Sequence, residues 1–336
     1  MKQALHSLFV LALAAASAIT PSATAAEAKR VLVCTVTTGF RHSSIAWAEK
    51  SLQKLADDSK AFTIVGFVQQ PEIQVPQAPR KPKDLAADAD EGAKKRYAND
   101  LKKYDAEMAK WTPEVQADAK AKQEALTTGI KKNLERLSPG NLVAEKIDGV
   151  IFANTTGELP LPDRDGFIKW IEDGHAFMGM HSASDTFHPF RGYIDMLGGE
   201  FETHKAQVPA ELIAGDSAHP ANAGIGAGWN LAQEEMYHIK SQERSKVRAL
   251  WYMRHDPNET TKEIFFPVSW CKKAGTGKVF YTSLGHREDL WSESAEIKDR
   301  KNTVEVSKQY QAHILGGIKW ALGLVEGSSE PNPEAK

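Results

Sequence analysis

The chain has 336 residues, 41% hydrophobic and 26% charged, which supplies a large core and excludes an extended disordered polymer. Lys and Arg number 42 against 44 Asp and Glu, so no global field gathers nucleic acid or an anionic membrane surface. Charged ligands must be met locally, and no nucleic-acid partner is expected.

Lys2, the apolar run over residues 8–19 and the small residues Ala23-Thr24-Ala25-Ala26 read as a secretory signal peptide over residues 1–26. A periplasmic or secreted protein is therefore expected. The run is shorter than the roughly 20 residues of a spanning helix, so no membrane span is expected in the mature protein. Only two cysteines occur, Cys34 and Cys271, which excludes a disulfide-dense scaffold and a four-cysteine zinc site. Isolated buried thiols are the expectation, with a Cys34–Cys271 pair left open.

Residues 31–36 form a β-rich apolar run that ends at Thr37-Thr38-Gly39, after which Ser43 or Ser44 can cap a helix carrying Ile45, Trp47, Ala48 and Leu52. Residues 62–68 supply a second strand. The segment 80–132 holds 13 basic and 10 acidic residues among 53, and Tyr97, Leu101, Tyr104, Met108 and Trp111 follow steps of four and three. A helix is predicted there, and Thr112-Pro113-Glu114 opens a second one through Leu126, Ile130, Leu134 and Leu137. These two give an inserted charged helical hairpin over about residues 78–138, expected to be a solvated arm or a surface for a protein partner or self-association.

A third strand at 149–153 precedes Asn154-Thr155-Thr156-Gly157, a helix spans 163–173, and a strand returns at 175–180. Strands alternating with helices predict a mostly parallel α/β sheet with helices on both faces. Later strands at 208–213, 247–253, 264–270 and 278–283 lie close together without long helices, so an antiparallel part attached to the main sheet is expected. A helix through Tyr310, Ile314, Ile318 and Leu322 closes one domain over 27–325, and the polar tail 326–336 is expected to fray.

In open parallel sheets ligands bind beyond the carboxyl ends of the strands. That rule nominates Arg41 and His42, Asn154 and Thr155, the corner His181-Ser182-Ala183-Ser184-Asp185, and the segment from His286 to Trp291. Here Gly39-Phe40-Arg41-His42-Ser43-Ser44, Asn154-Thr155-Thr156-Gly157, His181-Ser182-Ala183-Ser184-Asp185-Thr186-Phe187, Gly198-Gly199-Glu200-Phe201-Glu202-Thr203-His204 and Tyr281-Thr282-Ser283-Leu284-Gly285-His286 resemble the ThuA-like, or trehalose utilisation, family. The resemblance implies a flavodoxin-like, class I glutamine amidotransferase-like architecture and an association with carbohydrate metabolism. It also implies that His181 stands where amidotransferases place their cysteine and that His286, with Glu288 or Asp289, stands at the histidine-and-acid end. Without a thiolate at that corner, glutamine hydrolysis is not expected. A serine hydrolase using Ser182 or Ser184 would need a nucleophile at the apex of the corner and not beside it.

His181, His204, His238 and His286 with Asp185 and Glu235 are the residues from which a divalent-metal set could come, zinc, manganese or iron, with His181, His286, His238 and Glu235 taken as ligands. Their spacing is non-local, and acid/base work by His181, His286 and Asp185 explains the same residues. Arg41, His42, Asn154, Thr155 and His204 are expected to contact substrate, with Tyr237 and Trp291 stacking on a sugar face. No nucleotide cofactor is expected. The expectation is an exported enzyme, an isomerase, lyase or hydrolase acting on a sugar, keto-sugar or glycoside. The alternative is a non-catalytic carbohydrate-binding or assembly protein on the same fold.

Overall fold

Apolar runs without a polar face are stable only between two layers, and here amphipathic helices supply those layers. The computed structural model describes residues 27–334, and the expected signal peptide lies outside them. The strands are β1 (Lys29–Cys34), β2 (Phe62–Val68), β3 (Gly149–Ala153), β4 (Ala176–Met180), β5 (Glu200–His204) and β6 (Val208–Ala214). They continue as β7 (Gly228–Glu234), β8 (Tyr237–Lys240), β9 (Arg248–Asp256), β10 (Glu259–Ala274) and β11 (Gly277–Thr282). The helices are α1 (Ile45–Ser59), α2 (Glu91–Met108), α3 (Pro113–Leu134), α4 (Pro139–Ala144), α5 (Arg164–Glu172), α6 (Arg191–Leu197), α7 (Glu288–Trp291) and α8 (Val304–Ala321).

One nine-stranded sheet has the order β2-β1-β3-β4-β11-β10-β9-β6-β7. Pairing is parallel from β2 to β11 and antiparallel from β11 to β7, so the expected antiparallel part extends the main sheet. A separate ribbon pairs β5 with β8. Side chains alternate across the central strands: Val31, Val33, Ile151, Met178 and Phe280 pack toward α1 and α8. Leu32, Cys34, Phe152 and Phe177 pack toward α3 and α5 on the other side. The flavodoxin-like order β2-β1-β3-β4-β11 places every βα loop of the parallel half at one edge.

Cys34 and Cys271 are free and buried in different core clusters, so they do not pair. Burial pushes the Cys34 thiol up to about 12 and raises Cys271 as well. Within the charged insertion, Thr112 caps α3 at Val115 and Pro113 occupies its first turn, as predicted. α3 seats Ile130 and Leu134 in the core, whereas α2 buries no side chain and leaves Met108 exposed, so a sealed hairpin between the two is not supported. The polar tail is held rather than frayed: Asn332 accepts from Ala249 N–H at 2.7 Å and donates to the Gly215 carbonyl at 3.0 Å. Its amide also donates to the Ala249 carbonyl at 3.1 Å, tying the tail to the start of β9. Among the described residues no helix is long and apolar enough to cross a membrane.

Candidate functional site

Three loops at the carboxyl edge of the parallel strands deliver imidazoles to one place. His42 follows β1, His181 follows β4 directly, and His286 follows β11. Glu235 comes from a fourth segment, the link from β7 to β8, which carries the antiparallel half back over the parallel edge. One ligand atom each from His42, His181, Glu235 and His286 lie within 4.8 Å of one another.

The corner at His181 has a left-handed backbone, φ 50°, as the strand gives way to a 3-10 turn over His181–Asp185. A non-glycine residue there is uncommon, and such strain concentrates at functional corners. His181 Nδ1 lies 2.8 Å from the Ser283 carbonyl, which only accepts, so Nδ1 carries the proton and Nε2 keeps its lone pair. Into that lone pair the Tyr237 hydroxyl donates at 2.8 Å, and His42 Nε2 stands 3.2 Å away. Burial, followed by the neighbouring His42 and His286, holds His181 well below the usual histidine range. Burial and His286 bring His42 down to about 4. Both rings are therefore neutral near pH 7.

His286 differs. Burial works against its charge, but the carboxylates of Glu235 and Glu234 outweigh burial and raise its pKa. Its Nδ1 pairs with Glu235 Oε2 at 3.1 Å. Glu234 is fully buried, is pushed up to about 7 by that burial, and accepts from the backbone N–H of His286 at 2.9 Å and of Arg287 at 3.3 Å. It fixes the loop on which His286 rides. Gly285 supplies a φ of 126°, and a Cβ there would meet the Tyr310 hydroxyl at 2.7 Å, so only glycine fits before His286.

The other nominated residues divide. His204 joins the site at its rim, 3.0 Å from Glu235 Oε1 and partly exposed. Tyr237 is buried and acts through its hydroxyl on His181 and not as an exposed stacking face. His238 turns away to Asp256, 3.2 Å distant, because neighbours on a strand point to opposite faces, and His42 takes its place in the cluster. Asp185 pairs with His188 at 2.7 Å, and His188 reaches Glu200 at 3.0 Å, a trio apart from the cluster. Trp291 is wholly buried and donates its indole N–H to the Gly285 carbonyl at 2.8 Å, so it packs and offers no face to a sugar.

Asn154 and Thr155 are wholly buried: Asn154 ties Ser44 and Gly285 together, and Thr155 bonds Thr186. Arg41 donates to the Thr35 carbonyl and lines a separate cavity with Gln70 and Gln74. Sequence reasoning missed Glu234, whose only signal is its place beside Glu235. It also missed Phe40, which is 67% exposed with its ring centroid 4.8 Å from that of His42.

Two imidazole nitrogens bound to one tetrahedral ion at about 2.0–2.1 Å stand about 3.3 Å apart, close to the 3.2 Å between His42 and His181. Three imidazoles and a carboxylate suit zinc, manganese or iron, with one ring nitrogen of His286 close enough to serve as a ligand atom. His204 on Glu235 Oε1, and the Ser283 carbonyl behind His181, would be the outer partners orienting such ligands.

A family model described as ThuA, trehalose utilisation, matches residues 132–321. Among solved structures, a ThuA-like protein from Parabacteroides merdae matches with a TM-score of 0.56 at 15% identity, covering 92% of this chain and 100% of that one. A ThuA-like protein from Bacteroides uniformis matches with a TM-score of 0.52 at 14% identity, covering 93% and 98%. At these identities both speak to the fold. No curated protein sequence matches the chain.

Proposed function

From its membership of the ThuA, or trehalose utilisation, family, to which the chain belongs, we propose that it is an exported enzyme of carbohydrate metabolism. In this reading a divalent ion held by His42, His181, Glu235 and His286 acts on a keto-sugar or a keto-glycoside. The observation that carries it is the gathering of those ligand atoms within 4.8 Å, two of the imidazoles being held neutral. Export rests on the leader-like residues 1–26.

Bound metal would polarise the substrate carbonyl and lower the barrier to removing the adjacent proton. The chain's own groups supply the rest. Burial raises Tyr237 well above the usual tyrosine range, so its hydroxyl stays protonated and can donate to the oxygen that gains charge. His204, partly exposed and in contact with Glu235, is the imidazole free of the four-ligand set and is placed to move the proton. From the resulting enediolate, reprotonation at the neighbouring carbon isomerises the sugar, whereas expulsion of the β-linked group as an alcohol eliminates it, and water adding to that product completes a net hydrolysis. Glutamine hydrolysis has no thiolate to use, since both thiols are buried in the cores on the two sides of the sheet.

Elemental analysis of protein purified without chelator, together with product analysis on keto-glycosides, tests the proposal. His181→Ala and His286→Ala are expected to lose both metal and turnover while keeping a cooperative thermal transition. Unchanged metal content and turnover in both variants would overturn it, and tight sugar binding without any product would favour the non-catalytic reading.

A further inference from the structure

Among the described residues the ribbon of β5 and β8 is not hydrogen-bonded into the nine-stranded sheet, yet it supplies two groups to the imidazole cluster. At one end of the ribbon His204 pairs with Tyr237, and these two reach Glu235 and His181. At the other end Glu200 pairs with Lys240. His188, from outside the ribbon, takes hold of Glu200.

His188 Nδ1 lies 3.0 Å from Glu200 Oε2, and its Nε2 lies 2.7 Å from Asp185 Oδ1. Ionised carboxylates only accept, so both ring nitrogens must donate, and the ring that makes this bridge is an imidazolium. A neutral ring has one N–H: it can serve one carboxylate and turns a lone pair toward the other. The Ser241 hydroxyl, just beyond β8, donates to Glu200 Oε1 at 2.7 Å, so the bridge reaches both strands of the ribbon. Asp185 ends the 3-10 turn that His181 begins. His188 thereby ties the His181 corner to the ribbon. Its own footing is fixed: Phe187 is buried with a left-handed backbone, φ 59°, and donates its N–H to the Gly157 carbonyl at 3.2 Å, and Pro189 follows. A bulky residue in that region is uncommon and persists only where its surroundings determine it.

The charges around His188 favour the bridge. Burial opposes the charge on the ring, but Glu200 and Asp185 outweigh burial and raise its pKa. Burial likewise opposes the charge on Glu200, and His188, Ser241 and Lys240 together outweigh it and lower that pKa. The neighbouring guanidinium groups are paired elsewhere, Arg191 on α6 with Asp195, and Arg164, which lies over the Phe187 ring, with Glu158. Tyr237 and Tyr281, which feel Asp185 from β8 and β11, are raised by burial and stay uncharged.

We infer that His188 is a positioning residue: as an imidazolium it clamps the β5–β8 ribbon to the His181 corner and so holds Tyr237 and His204 on the cluster. The clamp is complete at low pH and is released as pH rises through the raised folded-state value. It needs neither metal nor sugar, and only its consequence for turnover rests on the metal-enzyme reading.

Amide hydrogen exchange of the full protein, corrected for the intrinsic rate at each pH and run before and after chelation, tests the clamp. Protection of residues 200–204 and 237–240 is expected to fall about tenfold between pH 6 and pH 9, the scale of one charge-assisted hydrogen bond, while β3 and β4 keep theirs. His188→Gln should give equal ribbon protection at both pH values, below wild type at pH 6. His188→Arg, whose guanidinium keeps its donors throughout, should hold the ribbon protected at pH 9, a rescue that a purely packing role would not give. Wild-type ribbon protection unchanged from pH 6 to pH 9, equal losses in β3 and β4, or release of the ribbon at pH 9 in His188→Arg overturns the clamp. The two readings separate: ribbon exchange governed by His188 in a protein that holds no metal keeps the clamp and removes the metal chemistry, whereas retained metal with ribbon exchange indifferent to His188 does the reverse.

Discussion

Asn154 is the point where the sheet edge is tied to the site, and its replacement by alanine is predicted to loosen both. The amide donates to Ser44 Oγ at 2.9 Å and to the Gly285 carbonyl at 3.1 Å, joining the loop of His42 to the loop of His286. Its Oδ1 has no partner, so nothing further is lost there. The Gly285 carbonyl still accepts from Ser44 and from the Trp291 indole, so truncation strands no acceptor. Two buried hydrogen bonds at about 1 kcal/mol each give about 2 kcal/mol. The residue also has a left-handed backbone, φ 55°, which asparagine tolerates and alanine does not, adding about 1 kcal/mol. Asn154→Ala should thus destabilise the fold by about 3 kcal/mol and Asn154→Gly by about 2 kcal/mol, because glycine removes the bonds without the backbone penalty. Urea unfolding followed by tryptophan fluorescence measures both, and metal affinity should fall about 10- to 100-fold in each as the ligand loops lose their tie. Alanine within 1 kcal/mol of wild type, or alanine and glycine indistinguishable, would refute the reasoning.

Chelation should lower the melting temperature, and restoring zinc or manganese at about a thousandfold excess over its dissociation constant should return about 4 kcal/mol, with no such response in His181→Ala. His188 yields a pH prediction. Burial opposes its charge, but hydrogen bonds to Glu200 and Asp185 outweigh it and raise the pKa in the folded protein. That stabilisation is complete below the unfolded value of about 6.5 and is lost as pH rises through the folded value. Stability of wild type minus His188→Gln should therefore shrink on going from pH 6 to pH 9, and a difference that grows would contradict the assignment. Cys34 and Cys271, buried with raised pKa values, should resist a thiol reagent in native protein and both react after denaturation.

The parallel half was legible because its strands are buried on both faces, and such strands read as continuous apolar runs. Three strands were not legible, β5, β7 and β8. β7 places Gly, Asn and Gln among its apolar positions, and β5 and β8 are short and half polar. Those strands flank Glu235 and bring Tyr237 into the site; both residues were nominated, but Tyr237 as a stacking face and not as the hydroxyl that reaches His181. The choice of His238 over His42 as a ligand has the same origin. Had residues 237–240 been read as a strand, alternation would have put Tyr237 and His238 on opposite faces, and only one could reach His181. Trp291 failed for another reason: whether an aromatic packs or is presented depends on a distant acceptor, here Gly285, that residue type does not encode.

The protonation state of the central imidazole is set by strand register. β4 and β11 are parallel neighbours with Met180 opposite Thr282, so the residues that follow, His181 and Ser283, emerge side by side where the strands end. The Ser283 carbonyl then meets His181 Nδ1, takes its proton as a hydrogen bond, and leaves Nε2 as a lone pair facing His42 and Tyr237. A shift of one residue in that pairing would present another carbonyl and reverse the alternation of β11, so the same hydrophobic pattern that builds the core also fixes the tautomer. The left-handed corner completes the effect by holding the ring at the strand end. An imidazole held there neutral lacks the nucleophilic thiolate of an acyl-forming cysteine, but its lone pair could bind a metal ion without first losing a proton, as a ligand must.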